Sequence, residues 1–365
     1  MLGVLGILLA GCSGGDPAPG PGGADPDTGG GEQTRLAARL ATLPESVLSE
    51  ADQVIQVGVA DLDRAAALAG ISRPASSTDP AVIQQYVNAL SGVSADGPPV
   101  STLFPEVAQV QRVNQVAEFA AELGWSVADV SWFAEYQVPP HTFTAIGGPQ
   151  ESRLTDALGE RSEDQIWRIG GEDYQTNLVE ASAARPLGQA LRLALAGDHL
   201  VMAQSTPPVA AALTGGPTLA DHPTLSALVA AMDSANAYSA LLIAGTPGTF
   251  QRRPSTPSAQ QDTQWLPRPF TGAAAGSAQV DGTPYGLFAY VHQTAADAEA
   301  NAEALRRLLT EGASANTGVP WEERFEVADI RVDGTVVIAR LTLGDSPPIT
   351  PYTVLTQQDN LTSHD

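Results

Sequence analysis

The chain contains no lysine, and all 18 of its Lys/Arg-type residues are arginine. This absence excludes the chemistry that needs a lysine amine: a P-loop phosphate contact, a Schiff base or a Ser-Lys dyad. Positive charge is also scarce, since 41 acidic residues leave a formal net charge of −23. Nucleic-acid binding relies on clustered cations that neutralise phosphates. We therefore expect no nucleic-acid partner.

Cysteine is nearly absent too, because Cys12 is the only one. A single cysteine provides neither a disulfide framework nor a thiolate metal site. The histidines are scattered, with no His-Glu-x-x-His motif and no pair at helical metal spacing. We expect each at the surface or at a strand edge: His141, His199, His222, His292 and His364. The sequence predicts no catalytic residue, no metal and no cofactor, and hence no enzyme.

The N-terminus carries an apolar stretch, 2–8, that leads into Leu9-Ala10-Gly11-Cys12. Small residues before a cysteine are typical of a lipoprotein cleavage site, and about 11 residues are too few to span a membrane that requires roughly 20. We predict a signal peptide over 1–11 and acylation of Cys12, with palmitate-type chains. No Lys or Arg precedes Cys12, which favours a start codon upstream of Met1. The alternative is a buried strand with an incidental cysteine.

The same residues contain a literal Gly-x-Ser-x-Gly match over 11–15. In a hydrolase this motif sits on a strand-to-helix turn. Here it lies on the predicted cleavage site, so it indicates anchoring and not catalysis. Acid pairs such as Asp61/Asp63 and Glu322/Glu323 are expected by chance among 41 acidic residues, and solvated surface is their default interpretation.

The segment 12–34 is rich in glycine and proline, with no aliphatic side chain larger than alanine after Cys12. Such a composition cannot bury enough apolar surface to fold. As a flexible tether of about 20 residues it would span roughly 25 Å. That exceeds the Debye length of about 8 Å at physiological salt, so an acidic body can sit clear of anionic lipid. We expect a lipid-anchored protein on the extracytoplasmic side of the cell membrane.

The remaining body predicts an α+β fold with mainly antiparallel sheets. Two similar strand-helix-strand-hairpin-helix units are expected, over 35–235 with its N-terminal helices and over 236–365. The predicted strands are 54–59, 141–146, 165–169, 238–244, 285–291, 325–332 and 335–343, with a hairpin over 191–205. The predicted helices are 62–69, 80–90, 107–123, 152–158, 209–213, 295–309 and 352–358.

A long insertion is expected at about 245–284, because its composition is rich in Thr, Pro, Ser, Gln and Gly. Among the segments of this acidic chain, it comes nearest to a patch of positively charged and aromatic side chains. We single out a candidate partner-binding loop of Arg252, Arg253, Trp265, Arg268 and Phe270. The alternative is a solvated insertion with incidental arginines. A second aromatic-dense segment, 124–140, either lines a groove or packs a core.

Several strings together resemble a group of actinobacterial cell-envelope lipoproteins of unknown function. They are Leu195-Ala196-Gly197-Asp198-His199-Leu200-Val201-Met202-Ala203, 209–213, Leu219-Ala220-Asp221-His222, 60–66, 302–307, Trp321 and the 332–336 turn. The resemblance covers most of 45–345. It implies an envelope lipoprotein and transfers no catalytic or binding residue.

Three functional classes follow. The first is a non-enzymatic, membrane-anchored lipoprotein that binds an envelope protein or glycan, or supports the wall. The second is a carrier of a lipid or another apolar ligand, which requires an apolar cavity under the sheet. The third is a hydrolase with an acid pair assembled from distant segments, which requires two buried carboxylates about 5–10 Å apart in one cleft. A solute-binding component of a transporter would need two lobes that close on a cleft.

Overall fold

A computed structural model describes residues 36–45, 54–93, 99–138, 141–251 and 267–364. Within them, eleven strands form one antiparallel sheet in the spatial order β10-β11-β9-β8-β7-β1-β2-β3-β6-β5-β4. The strands are β1 Ile55–Asp61, β2 Trp132–Val138, β3 His141–Gly147, β4 Trp167–Ile169, β5 Leu191–Ala196, β6 His199–Ala203, β7 Ala237–Ala244, β8 Gly272–Val280, β9 Thr283–Val291, β10 Glu326–Asp333 and β11 Val336–Thr342. The expected α+β class with antiparallel pairing is confirmed.

Helices cover both faces of this sheet. They are α1 Leu36–Leu40, α2 Leu62–Leu68, α3 Pro80–Ser91, α4 Val116–Leu123, α5 Glu151–Leu158, α6 Thr206–Thr214, α7 Pro223–Ser234, α8 Ala295–Glu311 and α9 Thr350–Thr356. Face A, which carries Val57 and Val59, is covered by α1, α6 and α7. Face B, which carries Ala60 and Phe133, is covered by the other six helices. The result is three layers.

Local signals in the sequence set several of these boundaries. The carboxylate of Asp61 accepts a hydrogen bond from the Arg64 amide at 2.8 Å and caps α2. Asp79 caps α3 in the same way, ahead of a proline in the first turn. At the other end of the chain, Asp333 and Val336 pair across the tight turn between β10 and β11, where Gly334 has φ +58°. All three predictions are confirmed.

The aromatic residues of the segment 124–140 belong to the core. Trp125, Phe133 and Tyr136 are each 1 % exposed or less, and Trp132 is 8 % exposed. The core interpretation is therefore confirmed, and the groove interpretation is wrong. Pairing of β2 with β1 and β3 explains the burial, because the strand is flanked on both edges and covered on both faces.

The insertion is shorter than expected, because its last part forms the central strand β8 between β7 and β9. Its sequence, Gly-Ala-Ala-Ala-Gly-Ser-Ala-Gln-Val, has a weak strand propensity. Close packing of α7 explains the small residues. A Cβ added at Gly272 would lie 2.3 Å from Cγ2 of Thr224, and one at Gly276 would lie 2.9 Å from Sδ of Met232. The sequence predicts no helix at α1 or α7 and no strand at β2. The predicted helix 107–123 is wrong in its first half, because Glu106–Ala108 and Val110–Gln115 are short 3-10 turns and only Val116–Leu123 is α-helical.

The sheet has the same strand order on either side of its central β1–β7 pair. Outward from that pair the strands run β1, β2, β3, β6, β5 in one direction and β7, β8, β9, β11, β10 in the other, and one additional strand, β4, follows β5 at the edge. The helices α5 and α8, which follow β3 and β9, both pack on face B. The later helices differ, since α6 and α7 lie on face A and α9 lies on face B.

Candidate polar-ligand pocket

A pocket opens on face B where a pair of short 3-10 turns, Glu106–Ala108 and Val110–Gln115, crosses the ends of β3 and β6. It has a volume of about 100 Å³. Its lining comes from the turns, from the strands β3, β5 and β6 and from the segment that enters β5: Glu106, Val107, Gln109, Thr142, Thr144, Ala184, Gln189, Leu191, Met202, Ala203 and Gln204. We call this cavity the face-B pocket.

Neutral hydrogen-bonding side chains dominate the polar part of this lining. The amide of a glutamine and the hydroxyl of a threonine each provide both a donor and an acceptor. Three glutamines and two threonines line the pocket, and Glu106 contributes the one carboxylate among its lining residues. Apolar contacts come from Leu191 and Met202, which are almost fully buried. The lining therefore suits a neutral polar molecule better than an anion or a hydrocarbon chain.

Gln109 has an unusual backbone at the edge of the pocket. It lies between the two 3-10 turns with φ +51°, a left-handed conformation that residues other than glycine rarely adopt. Its Nε2 donates to the Glu106 carbonyl at 3.3 Å. Backbone strain of this kind costs on the order of 1–3 kcal/mol and clusters at functional sites. Here the strain places the Gln109 side chain in the pocket wall.

Glu135 lies directly behind the pocket, on β2. Strand register places it between Gly58 of β1 and Thr144 of β3, and it is only 6 % exposed. The Thr144 hydroxyl donates to Oε2 of Glu135 at 2.7 Å, and the Glu106 amide donates to both carboxyl oxygens at 3.2 and 3.3 Å. Burial raises the pKa of Glu135 to about 7, against the opposing effect of these donors.

The second carboxyl group, that of Glu106, is held at the surface. Nε2 of Gln137, two residues beyond Glu135 on the same face of β2, donates to Oε2 of Glu106 at 2.6 Å. Glu106 is therefore held twice, by Glu135 at its amide and by Gln137 at its side chain. The two acids form a brace between the turn and the sheet, with Glu135 buried and Glu106 exposed.

No family model, curated protein or solved structure matches this chain. Within the described ranges, no group of three or more His, Cys, Asp or Glu side chains could hold a metal ion. The same part of the chain has no helix that is both long and apolar enough to cross a membrane.

Of the five residues of the predicted partner-binding loop, the structure describes only Arg268 and Phe270. Arg252, Arg253 and Trp265 lie outside the described residues, as do Cys12 and the tether. Arg268 is exposed, and its amide donates to Oδ1 of Asn301 at 3.2 Å. The Phe270 ring is fully buried, in contact with the rings of Phe250, Tyr290, His292 and His364. Phe270 thus anchors the end of the insertion in the core, and its ring is not available at the surface.

His292 departs from the expected surface position, since it is only 3 % exposed. Its Nδ1 lies 2.9 Å from the Pro269 carbonyl and its Nε2 lies 3.0 Å from Nδ2 of Asn301. With a neutral ring, Nδ1 donates and Nε2 accepts, and burial lowers the pKa of His292. Both nitrogens are occupied, so this histidine fixes the chain that enters β8 and is not a metal ligand.

Sequence reasoning missed the face-B pocket and its brace. One signal was present: Glu135 interrupts the otherwise apolar run Trp132-Phe133-Ala134 and Tyr136. A charged residue in a strand that is buried on both faces needs partners. Its partners come from the distant turn at Glu106 and from the next strand, so spacing along the chain could not identify them.

Proposed function

We propose that this protein is a membrane-anchored, extracytoplasmic lipoprotein that binds a neutral glycan of the cell envelope and is not an enzyme. The anchor rests on the sequence around Cys12 and on the composition of 12–34. The resemblance to actinobacterial envelope lipoproteins belongs to the same proposal. The observation that carries the binding role is the lining of the face-B pocket.

The lining matches the groups that a glycan presents. Sugar hydroxyl and acetamido groups both donate and accept hydrogen bonds, as do Thr142, Gln189 and Gln204. The apolar side chains of Leu191 and Met202 can contact the carbon-bound hydrogens of a sugar ring. An apolar carrier is less well supported, because a site for an apolar ligand is lined mainly by apolar side chains, whereas much of the lining of the face-B pocket is polar.

A hydrolase is the second candidate, because a carboxyl group with a pKa of about 7 lies beside another carboxyl group at one cleft. The geometry favours binding. A general acid must come within hydrogen-bond reach of its substrate. Thr144, which lines the pocket, covers Oε2 of Glu135, and both oxygens already accept from the Glu106 amide. Only one member of the pair is buried.

Titration with two neutral disaccharides, diacetylchitobiose and cellobiose, tests this proposal by saturation-transfer NMR. We expect binding of at least one by the wild type, and binding at least tenfold weaker in Gln204→Ala and Thr142→Ala. Gln84→Ala, an exposed glutamine on α3, is the matched control and should bind like the wild type. Failure of both sugars to bind, or equal binding by all variants, would overturn the glycan proposal. Release of reducing ends that Glu135→Gln abolishes would favour the hydrolase instead.

We also propose that the two halves of the body arose as a structural duplication. The matching order of the first five strands on either side of the β1–β7 pair supports it, as does the common face of α5 and α8. The two halves differ in two respects. The helices α6 and α7 lie on face A whereas α9 lies on face B, and only the first half has the additional edge strand β4.

A further inference from the structure

A second cavity lies on face A, far along the sheet order from the face-B pocket, beneath the C-terminal end of α7. It has a volume of about 210 Å³. Its walls come from the end of α7, from the end of β8 and from the edge hairpin β10–β11: Ser234, Ala235, Asn236, Val280, Asp329, Arg331, Ile338 and Arg340. We call it the arginine pocket.

Two guanidinium groups reach this pocket from neighbouring strands. Arg331 pairs with Ile338 in the register of the hairpin, and Asp329 pairs with Arg340. The two arginines are therefore diagonal neighbours on face A, a relationship that places such residues about 7–8 Å apart. An oxyanion between them could accept hydrogen bonds from both guanidinium groups.

Neither guanidinium group has an acidic partner among the described residues. Arg331 donates from Nη2 to the Ser234 hydroxyl at 2.7 Å, a neutral contact. Arg340 stacks over the Tyr285 ring at 5.0 Å, and its Nε is buried without a hydrogen-bond partner. Asp329 lines the same pocket, yet it forms no ion pair with either arginine within 4.0 Å in the described part of the chain.

The arginine pocket brings together two arginines that form no ion pair in the described part of a very acidic chain. With 41 acidic and 18 basic residues, an arginine has many carboxylates available. Ion pairs with acidic side chains hold Arg153, Arg185 and Arg192. The Arg64 guanidinium donates to two backbone carbonyls and to a side-chain amide oxygen. Two like charges that share a partly enclosed pocket repel each other, and an anion between them removes that repulsion. An unpartnered buried N–H adds a further donor that lacks an acceptor.

We propose that the arginine pocket binds a phosphate group carried by a small organic molecule. Arg331 and Arg340 would hold the phosphate oxygens, since guanidinium forks match oxyanion geometry. Val280, Ile338 and Ala235 provide an apolar wall for the carbon part of the ligand. The free phosphate ester and the headgroup of a phospholipid share this chemistry. The inference is independent of the glycan proposal, because it uses another face and other residues.

Calorimetric titration of the full-length chain at fixed ionic strength tests the proposal, with inorganic phosphate and glycerol 3-phosphate as probes. We expect glycerol 3-phosphate to bind more tightly than phosphate alone. Binding should weaken at least tenfold in Arg331→Gln and in Arg340→Gln. Asp329→Asn, which removes a negative charge from the wall, should bind several-fold more tightly. Arg306→Gln, an exposed arginine on α8 that is paired with Glu303, is the matched control and should leave affinity unchanged.

Vesicles of phosphatidylglycerol distinguish the two sources. Vesicle binding that both arginine variants lose would assign the phosphate to a lipid headgroup, and binding of the soluble ester alone would assign it to a free metabolite. Thermal unfolding of each variant shows whether the fold is retained. The proposal is overturned if folded wild type binds neither soluble probe nor vesicles, or if Arg340→Gln and Arg306→Gln bind alike.

Discussion

Glu135 shows how a single buried carboxyl group can be retained within a sheet core. It lies between Gly58 and Thr144 on central strands, where an ionised carboxylate would be costly without partners. Two backbone contacts from Glu106 and a hydroxyl contact from Thr144 stabilise it. Burial nevertheless dominates, because the pKa of Glu135 rises to about 7. The protonated form is therefore favoured in the folded protein over much of the acidic range.

The raised pKa of Glu135 predicts that stability falls as pH rises through this range. The folded state binds the proton more tightly than the unfolded state, so the contribution is complete below about pH 4 and is lost as pH approaches 7. The difference amounts to about 3 kcal/mol. We expect Glu135→Gln to lose this pH-dependent part, as measured by urea unfolding at pH 5 and pH 8.

Buried histidines affect the pH dependence of stability in the opposite direction to Glu135. The effect of Glu135 must therefore be measured as a difference between the wild type and the Glu135→Gln variant. The pKa of His292 is lowered by burial, so its charging in the unfolded state destabilises the fold at low pH. Wild type and Glu135→Gln share this contribution, and it cancels between them. Identical pH profiles for the two proteins would contradict the assignment to Glu135.

At the scale of elements, the packing of α7 on β8 decides which residues the strand can carry. The two elements approach so closely at Gly272 that a methyl group would collide with Cγ2 of Thr224. At Gly58, on the central strand β1, the same methyl group would make ordinary contacts at 3.6 Å. Neither glycine needs a positive φ, so the two positions differ in space and not in backbone strain.

We predict that Gly272→Ala lowers the free energy of unfolding by about 1–3 kcal/mol, the usual cost of overpacking. Gly58→Ala should be neutral or slightly stabilising, since glycine weakens a strand. Thr224→Ala removes the colliding methyl group and should restore much of the stability lost in Gly272→Ala. Chemical denaturation of the three single variants and of the double variant Gly272→Ala/Thr224→Ala checks this cycle. Equal effects of both glycine substitutions would refute close packing as the reason for the small residues.

This comparison also explains how far the sequence could predict the fold. The Asp61 cap and the hairpin at Gly334 depend on neighbouring residues, so their signals are local and were predicted correctly. The strand β8 packs against α7, a helix about 50 residues away along the chain. This close packing leaves room only for small side chains, so β8 lacks the bulky residues by which a strand is predicted from sequence. The Glu135 brace and the arginine pocket also join distant segments. The individual residues are visible in the sequence, but the sequence does not indicate which of them lie close together in the fold.

At the scale of the whole molecule, the two halves share one sheet and one core. Residues of α7, from the first half, are buried in the same cluster as residues of β7, β8 and β9: Leu225, Leu228, Met232, Leu242, Ala274 and Leu287. The central pair β1–β7 joins the halves through six paired positions. A structural duplication is therefore compatible with mutual dependence of its copies.

We predict that the fragment 35–235 does not unfold cooperatively on its own. Without β7 to β9 it would expose the edge of β1 and the apolar face of α7 to water. Calorimetry of this fragment beside the full chain tests the expectation, with one transition expected for the folded body and none for the fragment. A sharp transition in the isolated fragment would show that the first half is an independent domain.

The most direct test of the proposed role as a lipoprotein is labelling with palmitate in a bacterium that processes lipoproteins. We expect the wild-type chain to incorporate label and to remain with the membrane after a high-salt wash, because several acyl chains give durable attachment. Cys12→Ser should be unlabelled and soluble, with the thermal transition of the folded body unchanged. A wild-type chain without label, or a Cys12→Ser variant that stays in the washed membrane, would contradict the account.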